Sequence, residues 1–272
     1  MENARSSSPD GLFSVHGLPG IITISGANKD IGKSSLVAYL VEHCRECAAM
    51  KVTLHEERPD GEAVVEEREP VEKKGTDTAR MLEAGAFPVF WIRTTARDLP
   101  EDLGKALARI DAPVVVVEGN SVLAHLEPDF AVFIMGRGFG DFKPSAFDAI
   151  RKAHTVVVNG EESLSGGEIL SLEREIKKMN PGAKIVVVSE LGRNRAWEIV
   201  LSRAAGRIGG GFMSSEMDEK VMEAVKAKAE EGRISCAVAL KLAEEMGVPA
   251  AEVGKAANAL DIKIVKCSLG CF

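Results

Sequence analysis

The chain has 272 residues, 45% of them hydrophobic and 28% charged, which suits one substantial core and a smaller second module. Its formal net charge of -7 and its pI near 5.4 argue against a broad polyanion-binding surface, so nucleic acid is not the expected partner. Apolar runs such as 114–117 are far shorter than the roughly 20 residues that cross a bilayer, and no membrane partner is expected.

The first 17 residues are rich in serine and lack the basic start and long apolar run of a secretory signal. We therefore expect residues 1–17 to form a disordered tail and the protein to be cytoplasmic. Five cysteines is an odd number in a chain without an export signal. Thiols or thiolate ligands are therefore expected in place of a disulfide framework.

From residue 21, short β-rich apolar runs alternate with longer amphipathic segments. This pattern predicts an α/β fold, with a mainly parallel sheet and helices on both of its faces. Strands are predicted at 21–25, 89–92, 114–118, 130–135, 155–159 and 184–189. Helices are predicted at 33–48, 77–83, 101–110, 145–153, 165–179 and 195–204. The strongly charged stretch 54–74 predicts a mobile loop or an irregular hairpin.

Three consecutive glycines at 209–211 end the α/β pattern and predict a domain boundary. The nucleotide-binding domain is predicted at 18–208 and a C-terminal module at 212–272. Helices at 218–231, 236–246 and 251–260, followed by a strand at 262–266, are typical of a winged-helix-like module. The module has no arginine cluster, so protein docking is as good an interpretation as DNA binding.

Residues 26–34 read Gly-Ala-Asn-Lys-Asp-Ile-Gly-Lys-Ser and match G-x-x-x-x-G-K-[ST] between an apolar strand and a helix-compatible run. Such a loop curls backbone N–H groups around phosphate oxygens at a helix N-terminus. Lys33 is predicted to neutralise the β- and γ-phosphates, and Ser34 to hold Mg²⁺ through its hydroxyl. The predicted nucleotide-binding residues of this loop are Gly26, Lys29, Asp30, Ile31, Gly32, Lys33, Ser34 and Ser35.

An acidic group is needed beside the loop to orient Mg²⁺, and Glu118 is the predicted one. It follows four valines and precedes polar residues, at the sheet edge where ligands bind in α/β folds. Lys33 and Glu118 are therefore the predicted catalytic residues, and Ser34 and Glu118 the predicted Mg²⁺ ligands. A carboxylate that only faces water is the alternative for Glu118.

Four segments resemble, in order, the MobB-like accessory proteins of molybdopterin-guanine dinucleotide biosynthesis, which are SIMIBI-type P-loop NTPases. They are 26–35, 51–55 with Lys51 and His55, 75–86 with Asp77 and Arg80, and 117–119 with Glu118. The resemblance covers roughly the first half of the chain. It implies GTP bound with Mg²⁺, weak GTP hydrolysis, and a molybdenum-cofactor biosynthesis enzyme or its target enzyme as partner.

ParA-like and dethiobiotin synthetase-like ATPases resemble the same features almost as well, which leaves ATP open. Lys29 stands where that group carries a lysine that reaches phosphate across a dimer interface, so a ParA-like or metal-insertion ATPase that forms a homodimer is the second hypothesis. A solvated loop lysine explains Lys29 equally well. The third hypothesis is a non-catalytic nucleotide sensor. Asn159, after a strand, is a predicted base-reading residue, with 189–192 as the other candidate loop.

The cysteines form two sets. Cys44 and Cys47 fall within the helix predicted after the loop, where buried thiols explain them better than a metal site. Cys236, Cys267 and Cys271 belong to the C-terminal module and predict a metal or iron–sulfur site. A redox-active or simply buried set of thiols is the rival interpretation.

Overall fold

A computed structural model of the chain describes residues 19–67, 75–140, 142–160, 163–208, 215–230, 232–248, 250–260 and 262–265. The chain divides into two compact units, Met1–Gly211 and Phe212–Phe272. The tail predicted at 1–17 lies outside the described residues. Within the described ranges, no helix combines the length and the apolar character needed to cross a membrane.

The first unit is built on an eight-stranded sheet. Its strands are β1 (Gly20–Gly26), β2 (Cys47–Leu54), β3 (Val64–Glu67), β4 (Val89–Thr94), β5 (Val114–Glu118), β6 (Phe130–Met135), β7 (Thr155–Val158) and β8 (Lys184–Val187). Their order across the sheet is β3-β4-β2-β5-β1-β6-β7-β8. Neighbouring strands are parallel except β3 and β4, which are antiparallel. The α/β prediction is confirmed.

Helices cover both faces of this sheet. They are α1 (Lys33–Glu42), α2 (Asp77–Glu83), α3 (Leu99–Leu107), α4 (Pro144–Lys152), α5 (Gly166–Met179), α6 (Val188–Leu191) and α7 (Arg193–Ile208), with a 3₁₀ turn at Ser121–Ala124. The crossover from β1 to β2 moves along the sheet toward β3, whereas the crossovers through α3, α4 and α5 move toward β8. Right-handed crossovers therefore place α1 on one face and α3, α4 and α5 on the other. The latter three share one hydrophobic core cluster.

The helix predicted at 33–48 is wrong in its second half. Helix α1 ends at Glu42, and the unpredicted strand β2 begins at Cys47. β2 lies between β4 and β5 and is buried over its first four residues, so it needs a continuous apolar run. Alanine and methionine also favour a helix, and the local pattern could not separate the two. Cys44 and Cys47 are buried, but they do not share a helical face.

The loop predicted at 54–74 is ordered in part. Residues Val64–Glu67 form β3, the edge strand, with Val64 buried and Glu66 and Glu67 half-buried. Charged residues are common on edge strands because they discourage pairing with a second chain. The remainder of the predicted loop at 68–74 lies outside the described residues.

The second unit contains α8 (Ser215–Lys228), β9 (Arg233–Ser235), α9 (Cys236–Met246), α10 (Ala250–Ala259) and β10 (Lys263–Val265). The three predicted helices and the last strand are present, whereas β9 was not predicted and pairs in parallel with β10. Ser235 caps α9 by accepting the N–H of Val238 at 3.3 Å, and Gly247 ends the helix with a left-handed φ of 64°. The hydrophobic core of the second unit includes Val225, Leu242 and Val253.

Candidate functional site

The loop between β1 and α1 has the backbone of a phosphate-binding loop. Asp30 and Gly32 have positive φ values of 56° and 99°, which turn the chain so that α1 begins at Lys33. At Gly26, a β-carbon would lie 3.0 Å from the carbonyl oxygen of Ile134, a tighter contact than most side chains make, which favours glycine here. Strand, loop and helix together form the arrangement of a P-loop NTPase fold.

Asn120 holds the start of this loop against the end of β5. Its side-chain oxygen accepts the N–H of Gly26 at 2.9 Å, and its amide nitrogen donates to the carbonyl of Gly26 at 3.0 Å. This two-point contact satisfies both backbone groups of Gly26. Sequence reasoning missed this role, and the only local signal was a polar residue directly after the Val-Glu-Gly run.

Ser34, at the start of α1, faces two carboxylates from other elements. Its hydroxyl lies 2.6 Å from Oδ1 of Asp77 and 3.2 Å from Oε2 of Glu118. Asp77 is the first residue of α2, which Thr76 caps, and Glu118 is the last residue of β5. The structure therefore brings together the two predicted Mg²⁺ ligands, Ser34 and Glu118. It adds Asp77, which the sequence analysis did not include among them.

Lys51 lies on the other side of the same carboxylates. Its ammonium group is 2.9 Å from Oδ2 of Asp77 and forms an ion pair and hydrogen bond with Oε1 of Glu118. Glu118 is almost completely buried, with 1% of its side chain exposed, so it needs a charged partner. Lys51 supplies that charge within the described part of the site.

These contacts shift the pKa values of the partners. Burial lowers the pKa of Lys51, but the charges of Glu118 and Asp77 and their hydrogen bonds outweigh it, and the net shift is upward. Burial likewise tends to raise the pKa of Asp77, whereas the hydrogen bonds from Ser34 and Lys51 lower it, and the net shift is downward. Both groups are therefore held in their charged forms.

Lys33, the loop lysine, turns back over its own loop. Its Nζ donates to the carbonyl of Asn28 at 2.6 Å. Burial lowers the pKa of Lys33, and the nearby ammonium of Lys51 adds to this, although Glu118, Asp77 and Asp30 act in the opposite direction. An incoming phosphate would stabilise the charged form of this lysine.

The oxygen donors of this site suit Mg²⁺. One hydroxyl and two carboxylates, from Ser34, Asp77 and Glu118, form a cluster of hard ligands beside the loop that would carry the phosphates. A cleft of about 1100 Å³ opens over the cluster. Predicted residues along it are Gly26, Lys29, Asp30, Gly32, Lys33, Ser34, Ser35 and Glu118, and further residues include Lys51, Asp77, Arg80, Asn120 and Lys143.

Asn159 contacts the loop at Ile31. The amide nitrogen of Asn159 donates to the carbonyl of Ile31 at 2.8 Å, and the backbone N–H of Asn159 donates to Met135 at 2.8 Å. The same amide nitrogen would lie 2.8 Å from a β-carbon at Gly32. Asn159 therefore supports the loop from the end of β7, and its reading of a base stays a prediction.

Of the cysteines predicted to bind metal, only Cys236 is described; it is the first residue of α9. Cys267 and Cys271 lie outside the described residues. Among the side chains that are described, no three His, Cys, Asp or Glu residues are grouped to hold a metal ion. The metal or iron–sulfur site at these cysteines stays a prediction.

No protein-family model matches the chain, and no curated protein matches it. Solved structures with a similar fold include hydrogenase maturation factor HypB from Archaeoglobus fulgidus, with 17% identity, a TM-score of 0.44, and coverage of 70% of this chain and 90% of that one. HypB from Helicobacter pylori in complex with nickel has 14% identity, a TM-score of 0.39, and coverage of 76% and 91%. LpxK from Aquifex aeolicus in complex with ATP has 18% identity and a TM-score of 0.37, and the match covers 56% of this chain and 52% of that one. The phosphate-binding loop and its carboxylates define the site independently of these similarities.

Proposed function

We propose that the first unit binds a purine nucleoside triphosphate with Mg²⁺ and hydrolyses it slowly. The observation that carries this proposal is the convergence of Ser34, Asp77 and Glu118 beside a phosphate-binding loop whose lysine is Lys33. These residues come from three separate elements, α1, α2 and β5, and the fold brings them together.

The cationic and the anionic residues of the site have different roles. Lys33 and the loop N–H groups bind the β- and γ-phosphates, while Ser34, Asp77 and Glu118 would hold Mg²⁺ or its water shell. When bound, Mg²⁺ supplies Lewis-acid neutralisation of phosphate charge. Lys51 pairs with both carboxylates and orients them toward the loop.

Slow turnover follows from the state of Asp77. It is the more exposed of the two carboxylates, and its oxygens, like those of Glu118, lie toward both Ser34 and Lys51. Its pKa is lowered overall because the contacts from Ser34 and Lys51 outweigh the opposing effect of burial, so it is a weak base. Positioning and charge neutralisation would then supply most of the rate enhancement.

The finer proposal is a GTP-binding accessory protein for molybdopterin guanine dinucleotide biosynthesis. It rests on the resemblance of segments 26–35, 51–55, 75–86 and 117–119, and the contacts among Ser34, Lys51, Asp77 and Glu118 join one residue from each of these segments. The partner would be an enzyme of that pathway or its target enzyme.

A second candidate is a ParA-like or metal-insertion ATPase that dimerises around nucleotide. The observation in its favour is Lys29, which is exposed at the edge of the cleft, where a second copy of the chain could meet bound phosphate. Nucleotide-dependent dimerisation that is lost in Lys29→Ala would select this candidate over the accessory protein. A non-catalytic sensor would bind nucleotide without turnover.

Calorimetric titration of the full chain with GTP and with ATP, each with and without Mg²⁺, tests the proposal. Lys33→Ala should abolish measurable binding, and Ser34→Ala should weaken the dependence on Mg²⁺. Lys178→Ala is a matched control because Lys178 is exposed on α5 and pairs there with the exposed Glu175. Equal nucleotide affinity in wild type and Lys33→Ala would refute the site. Preference for GTP would favour the accessory protein, and preference for ATP the dimerising ATPase.

A further inference from the structure

A second cleft, of about 530 Å³, lies at the end of the sheet where strands β7 and β8 begin. The phosphate-binding loop is at the opposite end, where the strands finish. Its volume is within the range of about 300–1,000 Å³ that is usual for small-molecule sites. We call it the basic cleft, and its basic side chains are Arg151, Lys152, His154, Lys184, Arg203 and Arg207.

The charge in the basic cleft is unusual for this chain, whose net charge is -7. Five lysines and arginines reach it from three elements: α4, β8 and α7. Arg151 pairs with the exposed Asp148 at 3.1 Å. In the described ranges, Lys184, Arg203 and Arg207 form no ion pair with a carboxylate, and no acidic residue lines the cleft.

Helix ends explain part of this charge, since cations at a helix C-terminus interact favourably with its dipole. That accounts for Arg151 and Lys152 at the end of α4 and for Arg207 at the end of α7. It does not account for Lys184, which begins β8, or for Arg203, which lies more than one turn before the end of α7.

Arg203 is the most informative of these residues. Arg203 is half-buried, and its guanidinium donates to the hydroxyl of the buried Thr155 at 3.4 Å. Burial lowers the pKa of Arg203. Among the described residues, the hydroxyl of Thr155 is the partner of this guanidinium and no carboxylate pairs with it. Its partial removal from water is therefore a cost that an anion would offset.

His154 and Phe130 give the cleft a mixed lining. Their rings are stacked, with centroids 6.0 Å apart and planes inclined by 11°. Nδ1 of His154 accepts the N–H of Ala131 at 2.9 Å, so the neutral ring carries its proton on Nε2. Burial, followed by the charge of Arg207, lowers the pKa of His154, which favours this neutral form although Asp129 acts in the opposite direction.

We propose that the basic cleft binds a small organic oxyanion, a phosphate ester or a polycarboxylate, with Arg203 and Lys184 as its main charged contacts. The concave shape, and cations that approach from α4, β8 and α7, suit a compact ligand better than an extended acidic peptide. The site is independent of whether the phosphate-binding loop takes a nucleotide.

The test uses the full chain with Lys33→Ala, so that the phosphate-binding loop does not compete. Inorganic phosphate, pyrophosphate and citrate are titrated by calorimetry at low ionic strength. We expect one or more of them to bind, and Lys184→Gln with Arg203→Gln to weaken that binding by about tenfold or more. Tighter binding of pyrophosphate would identify a phosphate ester, and tighter binding of citrate a polycarboxylate.

The matched control is Lys178→Gln with Arg195→Gln, which removes the same charge from exposed positions on α5 and α7. It should change affinity by less than about twofold, since distant surface charges are screened. Arg203→Lys should retain part of the binding. If Arg203→Gln unfolds the chain, as judged by its melting temperature, Lys184→Gln alone replaces the double variant because Lys184 is exposed.

Three results would overturn the proposal. The first is no binding of any of the three anions to the Lys33→Ala chain. The second is an equal loss of affinity in the control pair. The third is that a polyglutamate peptide binds more tightly than every small anion and that this binding is lost in the Lys184→Gln, Arg203→Gln variant. That result would identify a protein-docking surface instead.

Discussion

Lys51 and Glu118 are directly opposite one another across the parallel strands β2 and β5, and their side chains form an ion pair at the edge of the nucleotide cleft. Glu118 is 1% exposed, whereas Lys51 retains 21% exposure and also reaches Asp77 at 2.9 Å. The ammonium group of Lys51 therefore pairs with two carboxylates. Removing it should affect stability as well as ligand binding.

Lys51→Met should destabilise the nucleotide-free chain by about 2 kcal/mol, because it leaves the charge of Glu118 buried without its partner. Adding Glu118→Gln to Lys51→Met should recover much of this loss, since the buried charge is then gone. Free energies of unfolding from denaturant titrations, arranged as a double-mutant cycle, measure the coupling. The control is Lys178→Met, whose exposed pair with Glu175 should be worth less than about 0.5 kcal/mol. Equal losses in Lys51→Met and Lys178→Met would contradict the ion-pair argument.

Asp77 predicts the acid dependence of stability. The net shift of its pKa is downward, although burial acts upward, so its contribution is present above the ordinary value of 3.8 and is lost as the pH falls through the lower folded value. Near pH 7, Asp77→Asn should be less stable than wild type by about 1 kcal/mol, a modest figure because the side chain is partly exposed. Denaturant titrations between pH 7 and about pH 2.5 should show the two proteins converging below pH 3.8. A difference that stays constant across this range would show that the carboxylate charge is not responsible.

The two hydrogen bonds between Asn120 and Gly26 predict that Asn120, which follows β5, affects nucleotide affinity. Asn120→Ala removes both hydrogen bonds to Gly26 and should cost about 1–2 kcal/mol of stability. Because the loop is then less well fixed, nucleotide binding should also weaken. Asn120→Asp keeps the acceptor for the N–H of Gly26 but loses the donor, so it should fall between alanine and wild type in both measurements. A stable Asn120→Ala protein with unchanged nucleotide affinity would show that the loop does not depend on this contact.

The positive φ of Gly32 predicts that the end of the loop requires glycine. Its φ of 99° is strained for any residue with a β-carbon, and such a carbon would lie 2.8 Å from the amide nitrogen of Asn159. Gly32→Ala should therefore cost about 1–2 kcal/mol and weaken nucleotide binding. Adding Asn159→Ala relieves the contact but not the backbone strain, so recovery should be partial. Gly254→Ala, a helical position with open space around its β-carbon, is the control and should not destabilise the chain. Full recovery in the Gly32→Ala, Asn159→Ala variant would show that the side-chain contact alone matters.

The sequence indicated the α/β class because periodicity and turn residues are local signals. Each of the six strands predicted for the first unit is present, with ends that differ by about two residues or fewer. The unpredicted β2 was not recognisable, because the apolar run that begins at Cys47 suits a buried strand and a helix equally. Its position between β4 and β5 decided the outcome.

The sequence by itself determined the phosphate-binding loop, since its glycines, Lys33 and Ser34 are consecutive and their spacing follows from one strand-to-helix turn. It also indicated Glu118 from the apolar strand before it. Only the tertiary structure decided that Lys51 and Asp77 complete the cluster and that Asn120 holds Gly26. Asp77 lies 43 residues from Ser34, and Lys51 lies 67 from Glu118, so their contacts arise from strand order and helix placement. The basic cleft has the same origin, because its cations lie on α4, β8 and α7 and become neighbours only when the sheet is assembled.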